Sequence, residues 1–175
     1  MDHLRADSMV QLGIVVPDCD KAAENFCKYF GLDFDDYVCQ IDTHDLEEQF
    51  GNTTSYNGKP SEWYNRMAII NYRGMQYEFI TPLGPGENDY AVFLEKTGGG
   101  VHHIHMAFKH NGYDEFLQFM KDNKVPTVVS GFAGGSNFTY FDFRKDFGLI
   151  IETSDMTDEN YKKNVAACGP EFEDD

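Results

Sequence analysis

The chain has 175 residues, with 14 Lys and Arg against 30 Asp and Glu, a formal charge of −16. That length fits one compact domain or two half-size modules sharing a core, and a content of 41% hydrophobic and 15% aromatic residues excludes a wholly disordered chain. Phosphate backbones and anionic membranes call for clustered cations; no basic run exceeds two residues, so neither nucleic acid nor membrane is expected as a partner.

No apolar run approaches the ~18 residues of a membrane span. The first residues, Met-Asp-His-Leu-Arg-Ala-Asp-Ser, are polar and unlike a secretory signal, which predicts a cytoplasmic protein. Cys19, Cys27, Cys39 and Cys168 lack CxxC spacing and are expected as free thiols, with Cys19 and Cys27 filling a helix face.

Val10, Leu12, Ile14 and Val16 alternate, which predicts a first strand ended by Pro17 and Asp18. Asp18 or Asp20 can cap the next segment, where Ala22, Ala23, Phe26, Cys27 and Phe30 recur at helical spacing until Gly31. Residues 33–43 are expected as a strand and 44–65 as an inserted loop. Residues 66–72 and 75–81 flank Arg73-Gly74 and predict a hairpin. Pro82-Leu83-Gly84-Pro85-Gly86 breaks the chain, and 89–96 reads as a short helix before Gly98-Gly99-Gly100.

The pattern then restarts. Residues 101–109 predict a strand, 113–124 a helix carrying Phe116, Leu117 and Met120, and 125–129, 138–143 and 147–153 three more strands. The expected organisation is a polar start (1–8), a first module (9–81, with the insertion 44–65), a linker (82–100), a second module (101–154) and a mobile acidic tail (155–175). Sliding the chain by 92 residues lays Gln11 on His103; sliding it by 74 lays Glu78 on Glu152. The offsets differ by 18 residues, close to the length of the insertion, so one inserted segment reconciles them.

Gln11, Glu78, His103 and Glu152 sit inside otherwise apolar strands, pointing away from the apolar stripes. One reading is a solvated sheet face. The other is a mixed N/O site for Zn, Mn, Co or Ni, since a buried carboxylate is costly without a partner. His105 shares a strand face with His103 as a substrate contact or interior polar residue, whereas His102 is expected to face the other way in a structural role. Trp63, Tyr64, Phe132 and Tyr140 are candidates for pocket or core. Gly98-Gly99-Gly100 and Gly134-Gly135 lack P-loop spacing and are read as flexible loops.

The chain resembles the vicinal oxygen chelate superfamily, which includes glyoxalase I, methylmalonyl-CoA epimerase and extradiol dioxygenases. The matching stretches are Val10-Gln11-Leu12-Gly13-Ile14-Val15-Val16-Pro17-Asp18, Glu78-Phe79-Ile80-Thr81-Pro82-Leu83-Gly84, Gly99-Gly100-Val101-His102-His103-Ile104, and Tyr140-Phe141-Asp142 through Gly148-Leu149-Ile150-Ile151-Glu152. The resemblance implies an α+β fold of two βαβββ modules with curled mixed sheets around one divalent metal (Zn, Co, Mn or Ni) held by Gln11, Glu78, His103 and Glu152. It also implies a homodimer and a small-molecule carbonyl or thioester substrate. His102-His103 and Pro82-Leu83-Gly84 are most similar to methylmalonyl-CoA epimerase, but epimerases usually place His on the first strand and Gln on the fourth. Gln, Glu, His, Glu instead resembles the zinc form of glyoxalase I. The glutamate that epimerases use as a second base in the first module has no matched position here: Glu47 and Glu48 lie in the corresponding part of the chain, where the insertion breaks the alignment.

The implied chemistry is exchange of a proton alpha to a metal-bound carbonyl, with Glu152 the first candidate base and Glu78 the second. The alternatives are a glyoxalase I-like lactoylglutathione lyase and a non-catalytic small-molecule-binding module. An extradiol dioxygenase would need His where Gln11 stands. Arg144, Lys145 and Lys109 are the candidate contacts for CoA phosphates.

Overall fold

A computed structural model describes residues 8–45, 51, 53–61, 63–84, 88–107, 112–133, 135–155 and 169–172. The first module opens with β1 (Ser8–Val15) and α1 (Cys19–Phe30), followed by α2 (Phe34–Tyr37) and β2 (Val38–Asp42). An inserted pair, β3 (Thr53–Tyr56) and β4 (Lys59–Pro60), precedes β5 (Tyr64–Tyr72) and β6 (Met75–Leu83). After α3 (Asp89–Thr97) come β7 (Gly100–Ala107), α4 (Tyr113–Asp122), β8 (Thr127–Ala133), β9 (Ser136–Phe143), α5 (Arg144–Phe147) and β10 (Leu149–Ser154), with β11 (Glu171–Phe172) last.

The Asp18 carboxylate caps α1 by accepting from the Lys21 N–H at 2.9 Å, and Gly31 closes the helix with φ 75°. Cys19, Ala23 and Cys27 form its buried stripe against Ala68, Ile70 and Phe79. On α4, Phe116 and Met120 do the same against Phe141. Arg73 and Gly74, at φ 52° and 76°, make the tight β5–β6 turn.

All strands join one mixed sheet in the order β11-β5-β6-β1-β7-β10-β9-β8-β3-β4, with β2 also on β5. β1 runs antiparallel to β7, while β1 pairs parallel with β6 and β7 parallel with β10. The core β2-β5-β6-β1 is thus mirrored by β8-β9-β10-β7 about the β1–β7 seam. Helices α1 and α4 cover the outer face. The inner face carries Val15, Trp63, Ile80, Val129, Tyr140 and Ile150 as a second core, to which α3 contributes Tyr90, Phe93 and Leu94. Among the described residues no helix is long and apolar enough to cross a membrane.

Several expectations are corrected. Residues 34–37 turn as α2 before β2 begins, because the Asp33 carboxylate accepts from the Asp35 N–H and starts a helical turn. The insertion is not a loop: β3 crosses to the second module and pairs antiparallel with β8, covering an edge that would otherwise be open. Phe147 closes α5, so the strand expected from 147 begins at Leu149. In the tail, β11 pairs parallel with Asn71 and Tyr72 of β5, so it is not wholly a solvated end. Cys19 and Cys27 are buried as free thiols; Cys168 lies outside the described residues, as do Glu47, Glu48, Lys109 and Gly134.

Candidate functional site

Two rows of residues cross the centre of the sheet at matching heights. One is Glu78, Gly13, His103 and Ile150; the other is Gln76, Gln11, His105 and Glu152. Exchanging the modules turns one row into the other, so Gln11 and His103, and Glu78 and Glu152, are spatial equivalents. All four predicted residues are buried on the inner face, which removes the reading of a solvated face.

Bulges create this geometry. Against β7, β1 carries an extra residue at Val10; against β1, β7 carries one at His102. These positions are equivalents, each immediately before Gln11 or His103. A bulge puts two successive side chains on one side. His102 therefore does not face away from His103, as strand alternation predicts: the two Nδ1 atoms lie 3.2 Å apart.

The His102 Nε2 lies 2.9 Å from Oδ2 of Asp89, at the start of α3. Burial opposes ionisation of Asp89, but His102, Arg144 and Tyr56 outweigh it and hold its pKa below the ordinary value. An ionised carboxylate only accepts, so His102 donates from Nε2 and its Nδ1 carries a lone pair. His103 then donates from Nδ1, and its own Nε2 lone pair is turned into the site. That Nε2 stands 3.1 Å from Oε2 of Glu152 and 3.6 Å from Oε2 of Glu78.

His103 Nε2 and Glu152 Oε2 are buried without a hydrogen-bond partner. Two lone-pair atoms facing each other at this distance repel unless a proton or a cation stands between them. Burial favours the neutral forms of these groups. Burial, and then the charge of Glu152, push Glu78 up to about 8; burial also raises Glu152, against the pull of His105, Tyr140 and His102. Burial drives His103 down to about 3. His105 sits 3.8 Å from Glu152 and shares a contact with Ser154 Oγ at 3.2 Å. Tyr90 and Tyr140, joined by a 2.6 Å hydroxyl contact, wall the site beside the His103 ring.

As the side chains stand, no group of three or more His, Cys, Asp or Glu among the described residues is closed around a cation position. Bonds of about 2.1 Å at octahedral or tetrahedral angles put neighbouring ligand atoms about 3.0–3.4 Å apart; the His103 Nε2–Glu152 Oε2 pair at 3.1 Å falls in that range, and Glu78 Oε2 at 3.6 Å from His103 Nε2 lies outside it.

Gly13 makes room for this arrangement. A methyl group there would fall inside the His103 imidazole, whereas the equivalent position in the other row holds His105. Gly13→Ala should therefore displace the ring, with an overpacking cost of about 1–3 kcal/mol. Thermal unfolding and the His103 imidazole NMR signals check this; unchanged signals would contradict it.

The family model of the Glyoxalase/Bleomycin resistance protein/Dioxygenase superfamily matches residues 10–143. The chain belongs to this superfamily. Its fold resembles methylmalonyl-CoA epimerase from Mycobacterium tuberculosis, with TM-score 0.60 and 16% identity over 88% of this chain and 91% of that one. It also resembles a variant of the Streptomyces coelicolor methylmalonyl-CoA epimerase in complex with 2-nitronate-propionyl-CoA (TM-score 0.58, 17% identity, 86% and 97% covered). A hypothetical protein from Bacillus halodurans is similar to the same degree (TM-score 0.58, 19% identity, 84% and 92% covered). No curated protein matches the sequence.

Within the superfamily fold, Trp63 and Tyr140 belong to the inner core. Arg144 is committed to Asp142 through bonds of 2.9 and 2.8 Å, and Lys145 is exposed on α5. Asp89, Gly13, Gln76 and Asn71 were not foreseen. Gln76, two residues before Glu78 on one strand, was readable by alternation. Asp89 gave no local signal, because only the tertiary fold brings α3 to His102.

Proposed function

We propose that the protein is a metal-dependent isomerase or epimerase that exchanges a proton alpha to a carbonyl, with an acyl thioester as substrate. The observation that carries this reading is the buried, partnerless pair His103 Nε2 and Glu152 Oε2 beside Glu78. Gln11, Glu78, His103 and Glu152 would hold one divalent ion, and an imidazole, two carboxylates and an amide oxygen suit Zn, Co, Mn or Ni. The ion would supply Lewis acidity that stabilises an enolate charge. Glu152 takes and returns the alpha proton, with Glu78 the second candidate. His103 positions the site, Tyr90 and Tyr140 exclude water from one side, and His105 contacts substrate beside Glu152. The acyl-CoA complex of a structural neighbour favours the thioester.

A glyoxalase I-like lyase is the second reading, favoured by Glu78 where epimerases carry Gln and by the engagement of Arg144 with Asp142. The two separate in one experiment. A single stereoisomer of an alpha-methyl acyl-CoA and the hemithioacetal of glutathione with a 2-ketoaldehyde are each incubated with metal-loaded protein. Metal-dependent epimerisation of the first supports the proposal. Turnover of the second alone supports the lyase, and inertness towards both supports a binding module.

Metal uptake carries a pH signature. Without metal, the raised Glu78 contributes stability that is full below its ordinary pKa of 4.5 and lost as pH rises through about 8. The depressed His103 has the opposite slope, but only between about 3 and its ordinary 6.5. Between pH 6.5 and 8 the carboxyl slope remains alone. The chelated protein should lose thermal stability over that interval, whereas the metal-loaded protein should gain, because ion and proton compete for Glu78. Calorimetry of both forms checks this; parallel curves would contradict it.

A further inference from the structure

Gln11 is an ambidentate residue. Its side chain can offer an oxygen lone pair to a cation or an N–H₂ that repels one, and which of these faces the site depends on what holds the amide. The Gln11 Nε2 donates to Gln76 Oε1 at 2.6 Å, Gln76 Nε2 donates to Asn71 Oδ1 at 3.0 Å, and Asn71 Nδ2 donates to the backbone oxygen of Gly169 at 3.1 Å. Gln11, Gln76 and Asn71 are all buried.

The direction of such a chain is ordinarily an assignment, since an amide can be flipped. Here its far end removes the choice. A backbone carbonyl cannot donate. Asn71 must turn its N–H₂ to Gly169, so its oxygen must accept from Gln76; Gln76 must then accept from Gln11 through its own oxygen. Reversing any one amide sets two donors or two acceptors face to face in a buried place, a fault that costs about 1–3 kcal/mol.

We infer that Gly169, Asn71 and Gln76 form a polarised chain that fixes Gln11 as an oxygen donor, so that the C-terminal segment docked on β5 positions a residue of the candidate site. This rests on the proposed metal reading for its purpose, though not for its geometry. It parallels the other module, where the acceptor Asp89 fixes His103 through His102: each equivalent residue is oriented by a chain ending on a group that can only accept. Asn71, Gln76 and Gly169 are positioning residues in this account.

The test uses the full chain and two substitutions at one position. Asn71→Leu removes the acceptor for Gln76 and frees both glutamines to flip. Asn71→Asp gives up the bond to Gly169 but still accepts from Gln76, so it preserves the polarity. In metal-free protein, the Gln11 side-chain N–H₂ should be shifted and protected from exchange in the wild type and in Asn71→Asp, and should lose both properties in Asn71→Leu. Titration with Co²⁺ should show about 10-fold weaker binding for Asn71→Leu, the lower end for residues behind a metal ligand, and near wild-type binding for Asn71→Asp. Should Asn71→Leu unfold, Gln76→Met breaks the chain at its middle with the same two expected changes. An unchanged Gln11 amide in the broken chain, or equal losses of Co²⁺ affinity in Asn71→Leu and Asn71→Asp, would overturn the inference, since the latter is the mark of packing alone. If the wild type binds no Co²⁺, the proposed metal function fails, and the amide signals still decide the chain.

Discussion

His103→Ala is expected to abolish stoichiometric metal binding, with a loss of affinity of at least about 100-fold, the upper end of what is seen when only a group behind a ligand is removed. His103 is the sole nitrogen donor among the four candidates. Its ring is fully buried, lies over the gap at Gly13, and is polarised by Asp89 through His102. No neighbour can substitute: His105 is held beside Ser154 and Glu152, and His102 turns a nitrogen toward Asp89. Gln11→Ala should be milder, since water can replace a neutral amide oxygen. Elemental analysis after dialysis, with Co²⁺ titration, measures both. One ion per chain retained equally by His103→Ala and Glu78→Ala would show that the site lies elsewhere. Circular dichroism separates this from unfolding.

Glu152→Gln is expected to keep much of the metal and lose turnover by about 10²–10⁴-fold, the usual worth of a general base. An amide oxygen still coordinates but cannot take a proton at neutral pH. Burial raises the Glu152 pKa and so strengthens it as a base, and its Oε2 faces the site without a hydrogen-bond partner. Glu78→Gln should be milder, because it leaves the Glu152 carboxylate in place and restores an epimerase-like residue. The split between kcat and metal content is the readout: metal lost in step with activity would make Glu152 a ligand only, and equal activity loss in the two variants would remove the distinction between the carboxylates.

The doubled βαβββ order was legible because it rests on short-range signals: the Asp18 cap, the Gly31 stop, the Arg73-Gly74 turn and alternation in β6 and β10. The offsets then matched Gln11 with His103 and Glu78 with Glu152, and the structure brings these four to one inner face. Where the reading failed, the deciding interaction was long-range. His102 turns inward because cross-strand register inserts a bulge, and periodicity within one strand cannot register a residue added relative to its neighbour. The strand character of residues 53–56 depends on β8, more than seventy positions away, which supplies the pairing for an otherwise polar stretch. Gly169 becomes an anchor only when β11 lies beside β5. Gly13 stands within the Val10–Asp18 motif, but that its missing side chain houses the His103 imidazole belongs to tertiary packing.

Deuterium uptake at the alpha carbon is the most direct measure of the central claim. The wild-type protein, loaded with Zn²⁺ or Co²⁺, is incubated in D₂O with an alpha-methyl acyl-CoA, and the alpha proton signal is followed by NMR beside a chelated sample and beside Glu152→Gln. The account predicts loss of that signal with the loaded wild type, none with the chelated protein, and strong suppression with Glu152→Gln. Exchange that proceeds equally after chelation, or equally in Glu152→Gln, would contradict it.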